Sequence, residues 1–309
     1  MGFGRARALY SGHNAPSISL VTFVAMTVAS APARTGRQDS AVPHVAALFR
    51  YPVKGFTPAA SDTLRVQDDG RIAGDRVLAF RFADAATPEE RDGLDYWPKA
   101  KGLALQDFPA LAALRLHFDD AGLRVRIDHG DRVLVEAGLD AEGRRRLTAA
   151  VTAFVADSPE GARLQRPGRL PLVLVGDGIS SRFQDRPRGF VSLHGQGSVD
   201  ALAGALGGAV DHRRFRSNII VAGLDPWEEL DWSAVRIGDV DLVAEGPIVR
   251  CLATHADPDT GRRDLPVLTT LTRGLGQSEP TLGRLLLPVA GGGAIRVGDE
   301  VRPVRAAVA

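Results

Sequence analysis

From His44 onward, apolar residues recur in short runs at every second position, a pattern typical of β-strands with one buried face. Aspartate- and glycine-rich turns separate three consecutive runs in the middle of the first half, which predicts an antiparallel meander. The predicted strands are Val45 to Arg50, Arg76 to Phe82, Leu114 to Phe118, Leu123 to Ile127, Arg132 to Val135 and Leu172 to Val175.

Two segments follow a helical spacing instead. Apolar residues predict a helix from about Asp140 to Ala156, which the Asp-Ser-Pro sequence ending at Pro159 terminates. Ser198 is the predicted N-cap of a shorter helix that ends at Gly207. Because helices do not alternate regularly with strands, a doubly wound parallel sheet is not expected. The predicted fold is mainly β with peripheral helices.

The strand-rich second half contains the same short turn sequence twice. Gly238-Asp239 and Gly298-Asp299 each lie between two apolar strands, as turns do in barrels and sandwiches. A polar stretch rich in proline and glycine runs from 157 to 168 and is the candidate domain boundary. We therefore expect an extension over residues 1–42, a first domain over 43–160 and a second domain over 161–309.

Composition narrows the function classes. The 309 residues carry a net charge of +1, so the chain as a whole has no strong attraction for nucleic acid or an anionic membrane. The only lysines are Lys54, Lys99 and Lys101. A single cysteine, Cys251, excludes an internal disulfide, a zinc site built on cysteine pairs and a cysteine-ligated iron–sulfur cluster.

The N-terminus allows two interpretations. Arg5 and Arg7 precede an apolar run over residues 18–29 and an Ala-Pro-Ala sequence, as in a signal peptide that would lead to export. The run is too short to span a bilayer. The alternative, which we favour, is a disordered or wrongly started extension.

One segment of the second half is densely basic. Arg213, Arg214 and Arg216 stand next to an apolar strand, and Asn218 adds a donor and an acceptor. Arginines at this spacing are suited to binding an anion. The alternative is a solvated strand edge with basic flanking residues.

The single thiol lies in a second unusual segment. Arg250 precedes Cys251, and a neighbouring cation favours the thiolate, the form that binds metals or attacks electrophiles. The sequence from Asp257 to Gly261 reads as a polar turn. Without these neighbours, an inert buried thiol would be the better interpretation.

Taken together, these segments resemble a MOSC domain, the module of molybdenum cofactor sulfurases and of the mitochondrial amidoxime-reducing component. The resemblance extends over about residues 43 to 305, because Tyr51-Pro52-Val53-Lys54-Gly55 resembles the opening motif of the β-barrel domain that precedes MOSC in the amidoxime-reducing proteins. It implies two β-barrel-type domains. The matching pieces of the second half are Arg214 to Ile219, Trp227 to Glu229, Trp232, Ile237 to Asp239, Arg250-Cys251, Thr254 and Asp257 to Gly261.

The resemblance also implies a cofactor and its site. Cys251 would be the protein ligand to the molybdenum of a pterin cofactor, and a thiolate is a soft ligand that suits this metal. Buried phosphate groups need charge-assisted donors, which lysine and arginine supply. We expect cofactor contacts from Lys54, Lys101, Ser198, Arg214, Arg216, Asn218 and Arg250.

The chain departs from the relatives at several positions. A Thr-Arg motif that follows their early strands is not found, and Lys99 or Lys101 could take its place. Ser217 stands where proline is frequent, a mild change. His194 and His255 are either proton donors near the metal or structural residues.

The predicted function is a molybdenum-cofactor oxidoreductase that reduces N-hydroxylated or related N–O compounds, which are small-molecule substrates. Electrons would come from a separate donor protein, since no flavin motif and no iron–sulfur ligand set is found. Alternatives are a carrier of the cofactor or of a persulfide, and a non-catalytic binding protein. Since Arg5 and Arg7 do not form a twin-arginine signal, we expect a cytoplasmic protein.

Overall fold

The computed structural model describes residues 42–305, and its architecture is mainly β, which confirms the predicted class. Almost all of the predicted extension, residues 1–42, lies outside the described residues. No helix within 42–305 is long and apolar enough to cross a membrane. The strands are β1 His44–Arg50, β2 Ala59–Ala60, β3 Thr63–Val66, β4 Ala79–Phe82, β5 Glu89–Arg91, β6 Leu94–Tyr96, β7 Leu114–Asp119, β8 Arg124–His129, β9 Arg132–Gly138, β10 Leu172–Val175, β11 Val191–Gly195, β12 Ile219–Ala222, β13 Trp232–Ile237, β14 Val240–Val249, β15 Thr281–Pro288, β16 Gly293–Arg296 and β17 Val301–Arg305.

The longest helix confirms the sequence prediction. Its N-cap is Asp140, whose carboxylate accepts a hydrogen bond from the Gly143 amide at 2.8 Å, and it ends at Ala156 before the Asp-Ser-Pro sequence. The helices are α1 Ala141–Ala156, α2 Gly161–Leu164, α3 Gln196–Leu206 and α4 Val267–Thr269, which continues into a π-helical turn at Thr270–Gly274. Short 3₁₀ turns lie at Ala83–Ala85, Lys99–Lys101, Pro109–Ala113, His212–Phe215, Glu228–Asp231 and Leu252–His255.

Helix α3 begins earlier than the sequence predicted. Its N-cap is Gly195, so Ser198 lies inside the first turn and the predicted capping role is wrong. The Ser198 hydroxyl donates to the Glu229 carboxylate at 2.8 Å, and a tertiary partner has therefore replaced the local one. The predicted C-terminus is confirmed, since Gly207 adopts the left-handed conformation with φ 74°.

One eight-stranded sheet dominates the second half, with the order β17-β13-β14-β15-β11-β12-β1-β2. All neighbours are antiparallel except β11 and β12. A single bridge between His44 and Glu300 connects β1 back towards β17. The sheet therefore does not close into the expected barrel through continuous strand pairing. On its side away from β12, strand β1 pairs with β2, and only this single bridge connects it with Glu300.

The smaller sheets follow the sequence pattern closely. Strands β7, β8 and β9 form the predicted meander. The strand predicted over Arg76 to Phe82 is shorter, since β4 begins at Ala79 and Arg76 has a positive φ of 52°. The remaining pairs are β4 with β10, β3 with β16, and β5 with β6.

Two hydrophobic cores support these sheets. The first core packs the meander and β4 against α1, with Leu116, Ile127 and Val151 among its members. The second core fills the eight-stranded sheet around Trp232. Val45 and Leu64, from β1 and β3, belong to the second core, so the first segment of the chain is built into the second sheet. A domain boundary near residue 160 stays a prediction.

Candidate functional site

Cys251 lies at the end of strand β14, immediately before a 3₁₀ turn, and it is half-buried. The Lys99 ammonium donates a hydrogen bond to its Sγ at 3.2 Å. Lys99 comes from a 3₁₀ turn of the first half of the chain. The thiol is therefore placed where the two halves of the sequence meet, with a cation directly against the sulfur.

Arg250 does not contact the thiol, contrary to what its position in the sequence suggested. Its buried guanidinium donates to the Phe215 carbonyl at 2.7 Å and, through Nε at 2.7 Å and also through Nη2, to the Leu282 carbonyl. Burial lowers the pKa of Arg250 to about 10, although Cys251 and Glu229 oppose the shift. Arg250 thus stabilises the backbone next to Cys251. The cation that contacts the sulfur is Lys99.

A carboxylate connects Lys99 to a second lysine. Asp185 lies 2.8 Å from the Lys54 ammonium and 3.5 Å from that of Lys99, and Lys54 also donates to the Gln184 carbonyl at 3.1 Å. Burial lowers the pKa of Lys54, and Asp185 opposes this shift. Burial alone would raise the pKa of Asp185, but the two lysines hold it well below its usual range. Both lysines therefore face one anionic position.

Two arginines extend this positive region around an aromatic ring. The guanidinium carbons of Arg216 and Arg76 lie 4.2 Å and 5.1 Å from the centroid of the Tyr51 ring. Arg216 also donates to the Phe56 carbonyl at 2.5 Å, and Arg76 pairs with Asp75. Burial lowers the pKa of Arg216 to about 10 and raises that of Tyr51 to about 12.

The backbone at both arginines is strained. Arg76 and Arg216 have φ values of 52° and 54°, a left-handed conformation that non-glycine residues rarely adopt. Such strain costs about 1–2 kcal/mol per residue and persists where the surroundings impose it, often at functional sites. We call Lys54, Arg76, Lys99 and Arg216 the cation cluster.

Asn218 connects two strands in this region, and its side-chain amide forms hydrogen bonds with groups outside the cation cluster. Its Nδ2 donates to the Phe49 carbonyl at 3.1 Å, and its Oδ1 accepts from the Ser192 hydroxyl at 2.7 Å. It therefore ties β1 to β11 just before β12. Its side-chain partners are protein groups.

Arg214 is not part of the cation cluster. Its guanidinium forms two hydrogen bonds of 2.8 Å with Asp264 and lies 3.4 Å from Asp257. Arg213 pairs in the same way with Asp211 and Asp259. Of the basic segment predicted to bind an anion, two arginines therefore anchor the acidic turn that follows Cys251, and only Arg216 remains with the cluster.

Two further predicted residues also lie apart from the cluster. Lys101 is half-exposed and pairs with Glu89 at 2.6 Å, whereas Lys99, the other candidate in the sequence, reaches the thiol. Ser198 is buried and accepts a hydrogen bond from the Trp227 amide at 2.8 Å while donating to Glu229. Burial raises the pKa of Glu229, although the Ser198 hydrogen bond opposes this.

The two histidines have different surroundings. His194 is fully buried with its ring centroid 5.4 Å from that of Phe215, and neither ring nitrogen has a partner among the described residues. Burial and the nearby Arg250 hold its pKa well below the ordinary value. His255 accepts a hydrogen bond from the Leu268 amide at 3.2 Å.

A cleft of about 230 Å³ opens beside the cation cluster. Arg76, Asp185 and Arg250 contribute to its wall, together with Gln184. Asp185 and Cys251 both contact the Lys99 ammonium, so Lys99 connects a residue of the cleft wall to the thiol.

Sequence reasoning missed Arg76 and Asp185. The alternating pattern predicts a strand that begins at Arg76, and the only distinguishing feature of Arg76 in the sequence is the preceding Asp75. Asp185 lies in an irregular segment with no motif of its own. Nothing in the sequence showed that this segment reaches Lys54 and Lys99.

The chemistry of the cluster fits an anionic, metal-bearing cofactor. The four side chains of the cation cluster have only Asp75 and the half-exposed Asp185 as carboxylate partners among the described residues. The N–H groups of the cluster that these carboxylates do not use could donate hydrogen bonds to a phosphate. A thiol, which in its deprotonated form is a soft ligand, lies beside them. Within residues 42–305 no group of three or more histidine, cysteine, aspartate or glutamate side chains is arranged to hold a metal by itself.

Part of the chain matches a known protein family. Residues 181–302 match the family model of the MOSC domain. The chain is 34% identical over 115 residues to mitochondrial amidoxime-reducing component 1 of Mus musculus, a match that covers 34% of each protein. It is 41% identical over 83 residues to a molybdenum cofactor sulfurase of Anopheles gambiae, a match that covers 26% of this chain and 10% of the sulfurase.

These findings confirm the MOSC part of the predicted resemblance: the chain carries a MOSC domain at residues 181–302, and its homologues include both protein groups. The β-barrel domain predicted to precede it stays a prediction. The matches span about a third or less of the length of these relatives. Among solved structures, the YuaD protein of Bacillus subtilis is similar, with a TM-score of 0.37 and 11% identity over 84% of this chain and 94% of that one.

Proposed function

We propose that this protein is a molybdenum-cofactor-dependent oxidoreductase that reduces N-hydroxylated or related N–O compounds. The observation that carries the proposal is the contact between Lys99 and Cys251, which joins a single thiol to a cluster of buried cations. The MOSC match supports a function related to the molybdenum cofactor. The reduction of N–O bonds rests on the amidoxime-reducing relative.

The cation cluster would hold the phosphate end of the cofactor. Lys54 and Lys99 already face one carboxylate, and Arg216 and Arg76 lie beside them, so a phosphate would find several charge-assisted donors. Cys251 would bind the metal through its sulfur. When bound, the cofactor would supply a metal that accepts an oxygen atom and exchanges two electrons.

Lys99 would position and neutralise the sulfur. Burial disfavours its charged form, but Asp185 and Cys251 together raise its pKa above the ordinary value, so the ammonium stays protonated. Its hydrogen bond holds the ammonium 3.2 Å from Sγ, the atom that would bind the metal. Arg250 keeps the backbone of the neighbouring residue in place through the Phe215 and Leu282 carbonyls.

The overall reaction constrains the partners. Reduction of an N-hydroxylated compound consumes two electrons and two protons, breaks the N–O bond and releases water. The one cysteine of the chain cannot supply the ligands of an iron–sulfur cluster. We therefore propose a separate electron-donor protein and a small-molecule substrate.

Metal analysis tests the cofactor assignment. Protein produced in a host that makes the cofactor should contain molybdenum, and Cys251→Ala should lose it. Lys54→Met should also lose it, whereas Lys101→Met, which changes a half-exposed lysine paired with Glu89, should retain it. Wild-type protein without molybdenum would refute the proposal.

A second candidate is a carrier of the cofactor or of a persulfide. The half-buried position of Cys251 supports it, because a partly exposed cysteine beside an ammonium also suits transfer chemistry. Turnover of an amidoxime with an artificial reductant separates the enzyme from the carrier. A persulfide on Cys251, seen by mass spectrometry in protein that shows no turnover, would establish the carrier.

A further inference from the structure

Strand β4 carries a buried arginine that the proposed cofactor site does not use. Arg81 lies between Phe80 and Phe82, and it is only 1% exposed. It forms no ion pair with any residue between 42 and 305, and its Nη2 has no hydrogen-bond partner there. Burial lowers the pKa of Arg81 to about 10, although Glu89 and Asp84 oppose the shift, so the guanidinium is charged at neutral pH. A buried cation without a carboxylate partner reduces stability, so its other contacts have to account for its presence.

The guanidinium of Arg81 contacts the segment that leads into Lys99. Its Nη1 donates a hydrogen bond to the Pro98 carbonyl at 2.7 Å, and its Nε donates to the Ala85 carbonyl at 3.2 Å. Its central carbon lies 5.5 Å from the centroid of the Trp97 ring, a distance typical of a cation–π contact. The two residues that precede Lys99 are therefore both in contact with this one buried side chain.

The same segment is attached to β4 at its other end by the backbone. Gly102 forms a bridge with Arg81, and the Leu103 amide donates to the Phe80 carbonyl at 2.9 Å. A Cβ atom at Gly102 would lie 2.6 Å from the Phe80 carbonyl oxygen, so this close approach of two backbones requires glycine. Lys99 thus lies in a short loop, residues 97–102, that β4 holds at both ends.

Trp97 connects this loop to the segment that carries Asp185. Its ring centroid lies 4.8 Å from that of the buried Phe183, with an interplanar angle of 61°. The Trp97 Nε1 has no hydrogen-bond partner in the described part of the chain, so packing alone places the ring. Lys99 comes two residues after Trp97. Asp185 comes two residues after Phe183, and its carboxylate lies 3.5 Å from the Lys99 ammonium. One aromatic contact therefore aligns the two segments whose charged side chains meet.

We propose that Arg81 is a positioning residue that holds the Lys99 ammonium against the Cys251 sulfur without itself contacting the thiol. It does so through the Pro98 carbonyl and the ring of Trp97. Without the guanidinium, the loop would lose its attachment just before Lys99, and the ammonium would leave its place 3.2 Å from Sγ. The consequence for cofactor retention rests on the proposed function, whereas the positioning itself concerns only residues of this chain.

Cross-linking of the cofactor-free protein tests the positioning, because Cys251 is the only thiol and lysines are few. Succinimidyl iodoacetate joins a thiol to an amine through a short spacer, and peptide mass spectrometry gives the ratio of Cys251–Lys99 to Cys251–Lys101 product. We expect Lys99 to dominate in the wild type and the ratio to fall about tenfold in Arg81→Met, since intramolecular reactions depend steeply on alignment. Acetylation of the lysines by a monofunctional ester, measured in parallel, corrects for changes in their exposure. A wild-type ratio of one or less would overturn the inference.

A control and a second variant sharpen the test. Arg284→Met removes a half-buried guanidinium of β15 that donates to the Leu230 carbonyl, and it should keep the wild-type ratio. Arg81→Lys keeps the charge and a donor, so it should restore part of the ratio. Trp97→Leu removes the ring that Arg81 contacts and should lower the ratio as well, which decides the matter if Arg81→Met does not fold. A folded Arg81→Met protein with the wild-type ratio would overturn the inference, and so would an unchanged ratio in Trp97→Leu.

Molybdenum retention tests whether Arg81 acts through Lys99. In the cofactor-loaded protein, Lys99→Met should speed the loss of molybdenum during dialysis about tenfold, as expected for one charge-assisted hydrogen bond. Arg81→Met should have a similar effect, and the double variant R81M/K99M should lose the metal no faster than Lys99→Met alone. Additive effects would show that Arg81 acts independently and would overturn the inference. A wild type that never contains molybdenum would refute the proposed function, and the cross-linking ratio would still decide the role of Arg81.

Discussion

Arg250→Met should destabilise the protein without exposing a new surface. In the wild type, the buried guanidinium of Arg250 satisfies the carbonyls of Phe215 and Leu282. Methionine has a similar length but no donor, so two buried acceptors lose their partner. Each unsatisfied acceptor costs about 1–3 kcal/mol. Removing a buried charge returns part of that cost.

We therefore expect the free energy of unfolding to fall by about 2–4 kcal/mol, which corresponds to a fall in Tm of about 5–10 °C. Because the pKa of Arg250 is about 10, its guanidinium stays charged well above neutral pH. The difference between wild type and variant should thus not change from pH 6 to pH 8. Thermal and urea unfolding of the cofactor-free protein measure it.

A matched control removes an arginine that makes weaker contacts. Arg236 lies on β13, half-exposed, 3.5 Å from Asp241, and Arg236→Met should change the free energy of unfolding by less than about 1 kcal/mol. If Arg250→Met were as stable as this control, water would be replacing the guanidinium and Arg250 would not be the anchor described here. If a stable Arg250→Met protein lost molybdenum, the direct cofactor role expected from the sequence would be restored.

Three further perturbations follow from buried or shared charges. His194 is buried and its pKa is lowered, so it should contribute a loss of about 1.4 kcal/mol per pH unit below about pH 6.5, where the unfolded chain gains a proton. His194→Leu should have a shallower slope in urea unfolding, although His212 and His255, whose pKa values burial also lowers, keep part of it. Burial raises the pKa of Glu229, so wild-type stability should fall as the pH rises above 4.5, and a Glu229→Gln variant that kept this fall would show that another group causes it. Asp185→Asn removes the anion shared by Lys54 and Lys99, so phosphate should raise the Tm of the cofactor-free variant more than that of the wild type, and equal shifts would exclude Asp185 as a competitor.

The local elements were largely predictable because their signals are local. Alternating apolar residues and Asp/Gly turns predicted the meander β7–β9, and a capped apolar stripe predicted α1. Ser198 shows where local reasoning fails. Its hydroxyl is a good cap in isolation, but Glu229 and the Trp227 amide, about 30 residues away in the chain, determine its contacts.

Part of the candidate site was predictable as well. Cys251, Lys54 and Arg216 were identified from motifs, and the structure places Lys54 and Arg216 in one cation cluster whose Lys99 contacts Cys251. Arg214 and Lys101 have the same residue types in the same motifs, yet their partners are carboxylates elsewhere. The sequence shows which residues are basic. Which of them remain available to bind an anion depends on where the carboxylates lie in the folded protein.

The strain in the cluster gives the strongest physical reason to expect an anion there. Arg76 and Arg216 both have left-handed backbones, burial disfavours the charged form of Lys54, and the charge of Arg76 acts on both Lys54 and Arg216. Each of these features reduces stability, and together they oppose folding by several kcal/mol at the scale of about 1–2 kcal/mol each. A bound anion would offset the repulsion among these cations, because Asp75 pairs with Arg76 and the half-exposed Asp185 pairs with the two lysines, which leaves Arg216 without a carboxylate partner among the described residues.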